Sequence, residues 1–114
     1  MRVSNNKARD YVEKLEEFQG SNTKGIWHSW DNIWEGGPKK LYVVYSYGHH
    51  FPMYVYDSEQ GKWIGNKDKY SRSTTRHQSQ LRPSSIALWV DTDEIKEVII
   101  NRGMVGYLIN KAQH

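Results

Sequence analysis

A chain of 114 residues has room for one hydrophobic core and not for two, and buries roughly two-thirds of the surface its unfolded form exposes. Mean hydropathy of -0.86 is polar, yet five Trp, eight Tyr and two Phe supply burial that a disordered chain lacks, so the core is expected to be small and aromatic. The absence of Cys excludes a disulfide framework, a thiolate zinc site and a cysteine nucleophile.

The first seven residues lack the apolar stretch of a secretory signal, and no apolar run approaches the ~20 residues that span a bilayer. These features predict a soluble cytoplasmic protein with no membrane partner and no metal or other cofactor. Net charge is only +3, with a pI near 9.1, but its placement is uneven. Between residues 66 and 83, Lys67, Lys69, Arg72, Arg76 and Arg82 outweigh Asp68 and give a net +4, which leaves -1 for the rest of the chain. A basic patch on a near-neutral body is the electrostatic footprint of an anionic partner, although a solvated loop carrying arginines reads the same way.

In chain order, Ala8, Tyr11, Val12, Leu15 and Phe18 recur at spacings of three and four, which predicts an amphipathic helix over 5–18. Ser4, Asn5 or Asn6 can cap it and Gly20 ends it. Alternation in Gly25–Trp30 predicts a short strand, and a chain break follows at Gly36-Gly37-Pro38. Lys40 to Tyr47 reads as a strand with Leu41, Val43, Tyr45 and Tyr47 on one face and Tyr42, Val44 and Ser46 on the other. A turn at 48–52, a strand over Met53–Asp57, a turn at 57–61 and a strand over Lys62–Gly65 complete an antiparallel meander.

The apolar pattern then stops for most of seventeen residues, where Ser73 or Thr74 can cap a short helix running to Gln80. Ile86–Val90 resumes as a strand. Asp91-Thr92-Asp93-Glu94 opens a helix with buried positions Ile95, Val98 and Ile99, and Gly103 ends it. Residues 104–109 form a last short helix or an edge strand. The whole is a single α+β domain over 1–114: a meander of about four to five strands packed by an N-terminal and a C-terminal helix, with a basic polar insertion at 66–83.

Candidate chemistry concentrates in that insertion. Ser71, Arg72, Thr74, Thr75, Arg76, His77 and Gln78 combine planar guanidinium forks, hydroxyl donors and a helix start, which together suit phosphate oxygens. Gln78, Gln80 and Asn66 can read a base or sugar edge, Tyr70, Trp63 or Tyr54 can stack on a base, and Lys69 and His50 complete the candidate ligand-binding set. His49 and His50 point to opposite faces of an extended chain and do not chelate one metal there. His77 near Ser73 and Thr74 permits a hydrolase reading, but the sequence identifies neither an orienting acid nor an oxyanion hole.

Through Tyr42-Val43-Val44-Tyr45-Ser46-Tyr47-Gly48-His49-His50-Phe51-Pro52, Trp63, Asn66-Lys67-Asp68-Lys69-Tyr70-Ser71 and Thr74-Thr75-Arg76-His77-Gln78, the chain resembles a family of small uncharacterised proteins of bacteriophages and mobile elements. The resemblance covers the central half of the chain and extends loosely over the flanking helices. It implies a phage accessory protein acting on host machinery, including inhibitors of bacterial defence, and it carries no assigned activity or site residues. The expected function is a non-enzymatic binder of a nucleic acid or nucleotide. The alternatives are an anti-CRISPR-like or other inhibitor that docks on a host protein complex, with an oligomer allowed, and a small hydrolase using His77.

Overall fold

The computed structural model describes residues 3–30, 39–47, 51–58, 60–69 and 71–100. They form α1 (Asn5–Glu13), β1 (Phe18–Gln19), β2 (Thr23–Trp30), β3 (Lys39–Ser46), β4 (Phe51–Asp57), β5 (Lys62–Asn66), α2 (Arg72–Gln80), β6 (Leu88–Val90) and α3 (Thr92–Ile100). The strands make one sheet in sequential order, antiparallel from β1 to β5 and parallel between β5 and β6. The fold is α+β, with a mostly antiparallel sheet flanked by α1 and α3. The expected break at 36–38, the turn residues 48–50 and the terminal element beyond Ile100 lie outside the described residues.

Helix α1 is capped by Ser4, whose side chain accepts from the Lys7 N–H. It stops at Glu13, five residues short of the expected end at Phe18. Leu15 takes a left-handed conformation (φ 58°), its N–H donates to Val12 O, and the Glu16 N–H reaches back to Tyr11 O at 2.8 Å. That pair of bonds is a Schellman closure built on Leu where Gly is usual, and the apolar spacing alone does not reveal it. The closure releases Phe18 to pair with β2 as a sixth strand. Its ring lies so close to Gly25 that a Cβ there would stand 2.5 Å from a ring carbon, so a side chain at that position has no room.

The sheet has two apolar faces. Tyr42, Val44 and Tyr54 pack with Ala8 and Val12 of α1 and with Leu81 just beyond α2. Leu41, Val43, Tyr45, Val55 and Ile64 pack on the opposite side with Ile95 and Val98 of α3. The expected alternation of β3 holds from Leu41 to Ser46. Tyr47 departs from it, because its φ of 57° ends the strand and its ring stands 5.7 Å from that of His77. Pro52, expected in a turn, lies inside β4, where the register shifts between Val44 and Tyr45 and tolerates a residue without an N–H.

Four of the aromatic residues form one row across the sheet. Trp27, Tyr42, Tyr56 and Trp63 are successive cross-strand partners on β2, β3, β4 and β5. Their rings stand 5.4 Å (Trp27 to Tyr42), 6.0 Å (Tyr42 to Trp63) and 5.3 Å (Tyr56 to Trp63) apart. Such pairs contribute about 0.5–1.5 kcal/mol each beyond area burial. The Tyr42 hydroxyl, sealed beneath the row, donates to Glu16 O at 2.6 Å.

Strand β6 joins parallel to β5 and not as a further meander strand, because residues 67–87 cross over the sheet before returning. Leaving β5 the chain enters α2 on the α1 side. Leaving β6 it enters α3 on the other side. Since Ile95 anchors α3 with its side chain fully buried, Ile95→Ala is expected to lower the unfolding free energy by about 2–5 kcal/mol in urea titrations. A loss below about 1 kcal/mol would contradict the packing of α3 on that face.

Candidate functional site

The sequence of α2, Arg72-Ser73-Thr74-Thr75-Arg76-His77-Gln78-Ser79-Gln80, contains no large apolar side chain, yet Thr74, His77 and Gln78 are buried. Burial of polar groups is tolerated only with hydrogen-bond partners, and the sheet end supplies them. His77 Nδ1 and the Ser46 hydroxyl share a hydrogen bond of 2.8 Å. Gln78 Nε2 donates to Asn66 O at 2.9 Å and to Asp68 O at 3.1 Å, leaving its Oε1 buried without a donor from the described residues. The Tyr54 hydroxyl donates to Gln78 O at 2.6 Å, and burial pushes that phenol up to about 12.

Asn66 is the junction of this arrangement. Its side-chain amide donates to Pro52 O at 2.9 Å and to the Thr92 hydroxyl at 3.1 Å, while its Oδ1 accepts from the Asp68 N–H at 2.9 Å. Asp68 in turn accepts from the Thr92 N–H at 2.8 Å, at the first turn of α3. The Thr92 backbone and hydroxyl donors, with some help from Lys67, hold its carboxyl below the usual 3.8. Beside it Asp91 and Glu94 cap α3 reciprocally, each side chain accepting from the other's N–H.

This geometry sorts the residues expected to bind a ligand. Asn66, Thr74, His77 and Gln78 face inward and are spent on the fold's own hydrogen bonds. Ser71 is the N-cap of α2, accepting from the Thr74 N–H at 3.1 Å, where Ser73 or Thr74 was expected to cap. The Thr75 hydroxyl turns back to Ser71 O at 2.9 Å. Lys69, Arg72 and Arg76 are exposed, while His50 and Tyr70 lie outside the described residues.

Arg72, Arg76 and Ser79 follow the three-and-four spacing of one helix stripe, opposite the buried stripe of Thr74, His77 and Gln78. No acid lies in the first turn of α2, and among the described residues no carboxylate pairs with Lys69, Arg72 or Arg76, while Lys67 feels the Asp68 carboxylate without a direct ion pair. An arginine at the first helical position is disfavoured by the helix dipole unless an anion is near. Arg82, just past the helix, holds its guanidinium 5.2 Å from the centre of the Trp89 ring.

Sequence reasoning missed Ser46, Trp89 and the bridging role of Asp68. The alternation of β3 placed Ser46 among core positions, and that polar exception was the available signal. The Ser46–His77 pair has the contact a nucleophile and base would make, but Ser46 is fully buried, and no orienting carboxylate touches His77 among the described residues. Among the described residues no group of three or more His, Asp or Glu side chains stands where it could hold a metal ion. An open groove of about 340 Å³ lined by Lys7, Asp10, Tyr11, Lys14 and Glu16 belongs to α1 and lies apart from the basic segment in sequence. Comparison with protein-family models, curated proteins and solved structures returns no match to this chain.

Two outcomes test the scaffold reading. Asn66→Ala strands three partners at once and is expected to cost about 2–4 kcal/mol of unfolding free energy, with a change under about 1 kcal/mol contradicting the junction. Burial, then the neighbouring Arg76 charge, holds the His77 imidazole below its ordinary 6.5. The unfolded state therefore takes up the proton first. The stability that His77 contributes is complete above pH 6.5 and is lost as the pH falls through the lowered value. Urea midpoints measured from about pH 7 to about pH 5 should fall less steeply in His77→Gln than in the native chain; equal slopes would contradict the buried neutral imidazole.

Proposed function

We propose that this chain is a phage-type accessory protein that binds a phosphate-bearing ligand, a nucleic acid or a nucleotide signal, on the outer stripe of α2 without transforming it. The observation that carries the reading is the orientation of α2: Thr74, His77 and Gln78 turn inward to partners within the fold, while Arg72 and Arg76 stand together on the exposed side with Lys67 and Lys69 leading up to them. Unpaired guanidiniums sharing a stripe make a surface for phosphate oxygens, because each offers a planar fork and the four exposed cations reinforce one another's potential.

The sheet topology supports the same location. Parallel β5 and β6 send the chain to opposite faces, the arrangement that in open α/β sheets leaves a ligand crevice at the strand carboxyl ends. Here Asn66, Asp68, Gln78 and Thr92 fill that crevice, and the Asp68 carboxylate occupies the anion position at the start of α3. A ligand phosphate is thereby directed outward to α2. The resemblance of the central segment to small phage proteins supports an accessory role in the host cytoplasm, including counter-defence.

A second reading, an inhibitor that docks on a host protein complex, is favoured by two large exposed rings, Tyr47 and Trp89, at 39% and 38% exposure. It is the weaker one, since among the described residues the row across the sheet takes up Trp27, Tyr42, Tyr56 and Trp63. Salt separates the two, because phosphate binding releases counterions and an aromatic protein contact does not. The double variant Arg72→Ala/Arg76→Ala is expected to lose at least about tenfold in affinity against a panel of single strands, duplexes and nucleotides. Its log–log salt slope for single strands should shrink by about 1.4, at roughly 0.7 per phosphate contact, with its urea midpoint unchanged. Native affinity in the double variant, or no binding by the native chain to any panel member, would overturn the reading.

A further inference from the structure

Resting on that phosphate-binding reading, we infer that Trp89 is a base-stacking platform and that the ligand of α2 is a single-stranded nucleic acid. Trp89 belongs to neither apolar cluster although it sits in the sheet, on edge strand β6. Its six-membered ring lies against the backbone of Gly65, where an added Cβ would stand 2.6 Å from Cζ3 and 2.7 Å from Cε3. The Tyr54 ring meets it edge-on at 6.2 Å and 71°, and the exposed Arg82 guanidinium lies over the ring, 5.2 Å from its centre, where an incoming base would slide between the two or displace the guanidinium.

Three neighbours therefore fix the indole, and the residue as a whole is still 38% exposed. A ring held rigid before binding loses little entropy when a ligand stacks on it, which is what an anchor requires. Packing does not demand it, for a smaller side chain on an edge strand would cover Gly65 with less apolar area in water.

The chemistry around the ring selects the occupant. Arg82 is exposed, and no acid among the described residues pairs with it. Lys67, two residues on from Gly65, bonds through its N–H to Val90 O and brings another exposed cation beside β6. Cations next to a fixed aromatic face fit a base and its phosphate and repel a basic peptide.

Size selects a polymer. The nine residues of α2 span about 13 Å, with Arg72 at one end and the Arg82–Trp89 pair just past the other. One nucleotide engages one end, whereas a strand engages both. Bases in a duplex have no free faces to offer the indole, so the strand is single.

Fluorescence anisotropy with a labelled thymidine oligonucleotide of about twelve nucleotides tests this, alongside the matching duplex and ATP. Trp89→Leu is expected to weaken the single strand about tenfold to hundredfold while leaving the salt slope unchanged, and Trp89→Phe should stay within a few-fold of native. Binding should also quench tryptophan emission in the native chain and quench it much less in Trp89→Phe, a readout that holds even if the Leu variant folds poorly. Native affinity in Trp89→Leu together with undiminished quenching in Trp89→Phe overturns the stacking inference. If Arg72→Ala/Arg76→Ala still loses binding in that case, the anion surface stands without it. Tight ATP or duplex binding that is insensitive to Trp89 also overturns it, and no binding by the native chain removes both readings.

Discussion

A helix without a large apolar side chain can be held against a sheet only where its inward polar groups find partners, and that constraint sets the orientation of α2. His77 on Ser46, Gln78 on Asn66 and Asp68, and the Tyr54 hydroxyl on Gln78 O leave the helix one satisfactory rotation. Each bond adds only about 1 kcal/mol net, but a turn of the helix would strand several buried groups together at about 1–3 kcal/mol apiece. With that rotation fixed, Arg72 and Arg76 have nowhere to go but outward. The same contacts that look like a ligand site in sequence are the scaffold that aims the exposed cations.

The network also closes the end of the sheet. Asn66 ties the end of β5 to Pro52 of β4 and to Thr92 of α3, so the point where the chain departs to opposite faces is stitched shut. Asp68 serves the start of α3 as an internal anion, with its carboxyl kept ionised by the Thr92 donors. What remains open is the outer side of α2 and, past its end, the Arg82–Trp89 pair.

Much of the fold was legible in the sequence because it follows from periodicity. The two faces of β3, the meander and the capped start of α3 appear where apolar spacing and cap residues put them, and the short helix ends at Gln80 as expected but starts from Ser71 in place of Ser73 or Thr74. The end of α1 was not, since a left-handed Leu15 breaks the helix without any Gly or Pro to announce it. Nor was the parallel β6, because strand direction depends on where residues 67–87 travel and no local pattern records that.

For the candidate site, the polarity of the segment did not separate outward side chains from inward ones. Arg72 and Arg76 stood out as cations and are exposed, while Asn66, Thr74, His77 and Gln78 shared the segment's polarity but face inward. Polarity tells a binding residue from a buried one only once partners such as Ser46 and the Asn66 carbonyl are known to lie within reach. Trp89 escaped notice because a tryptophan in a strand reads as core, and only its place on an edge strand above Gly65 exposes it.

The most direct test is an NMR titration of the isotope-labelled chain with a short single-stranded oligonucleotide, following side-chain and backbone signals together. The account predicts shifts along Arg72, Arg76, Ser79, Lys67 and the Trp89 indole, with the Gln78 and Asn66 amide protons unmoved. Shifts centred on α3 or on the α1 groove, or loss of the Gln78 and Asn66 signals as the ligand binds, would contradict it.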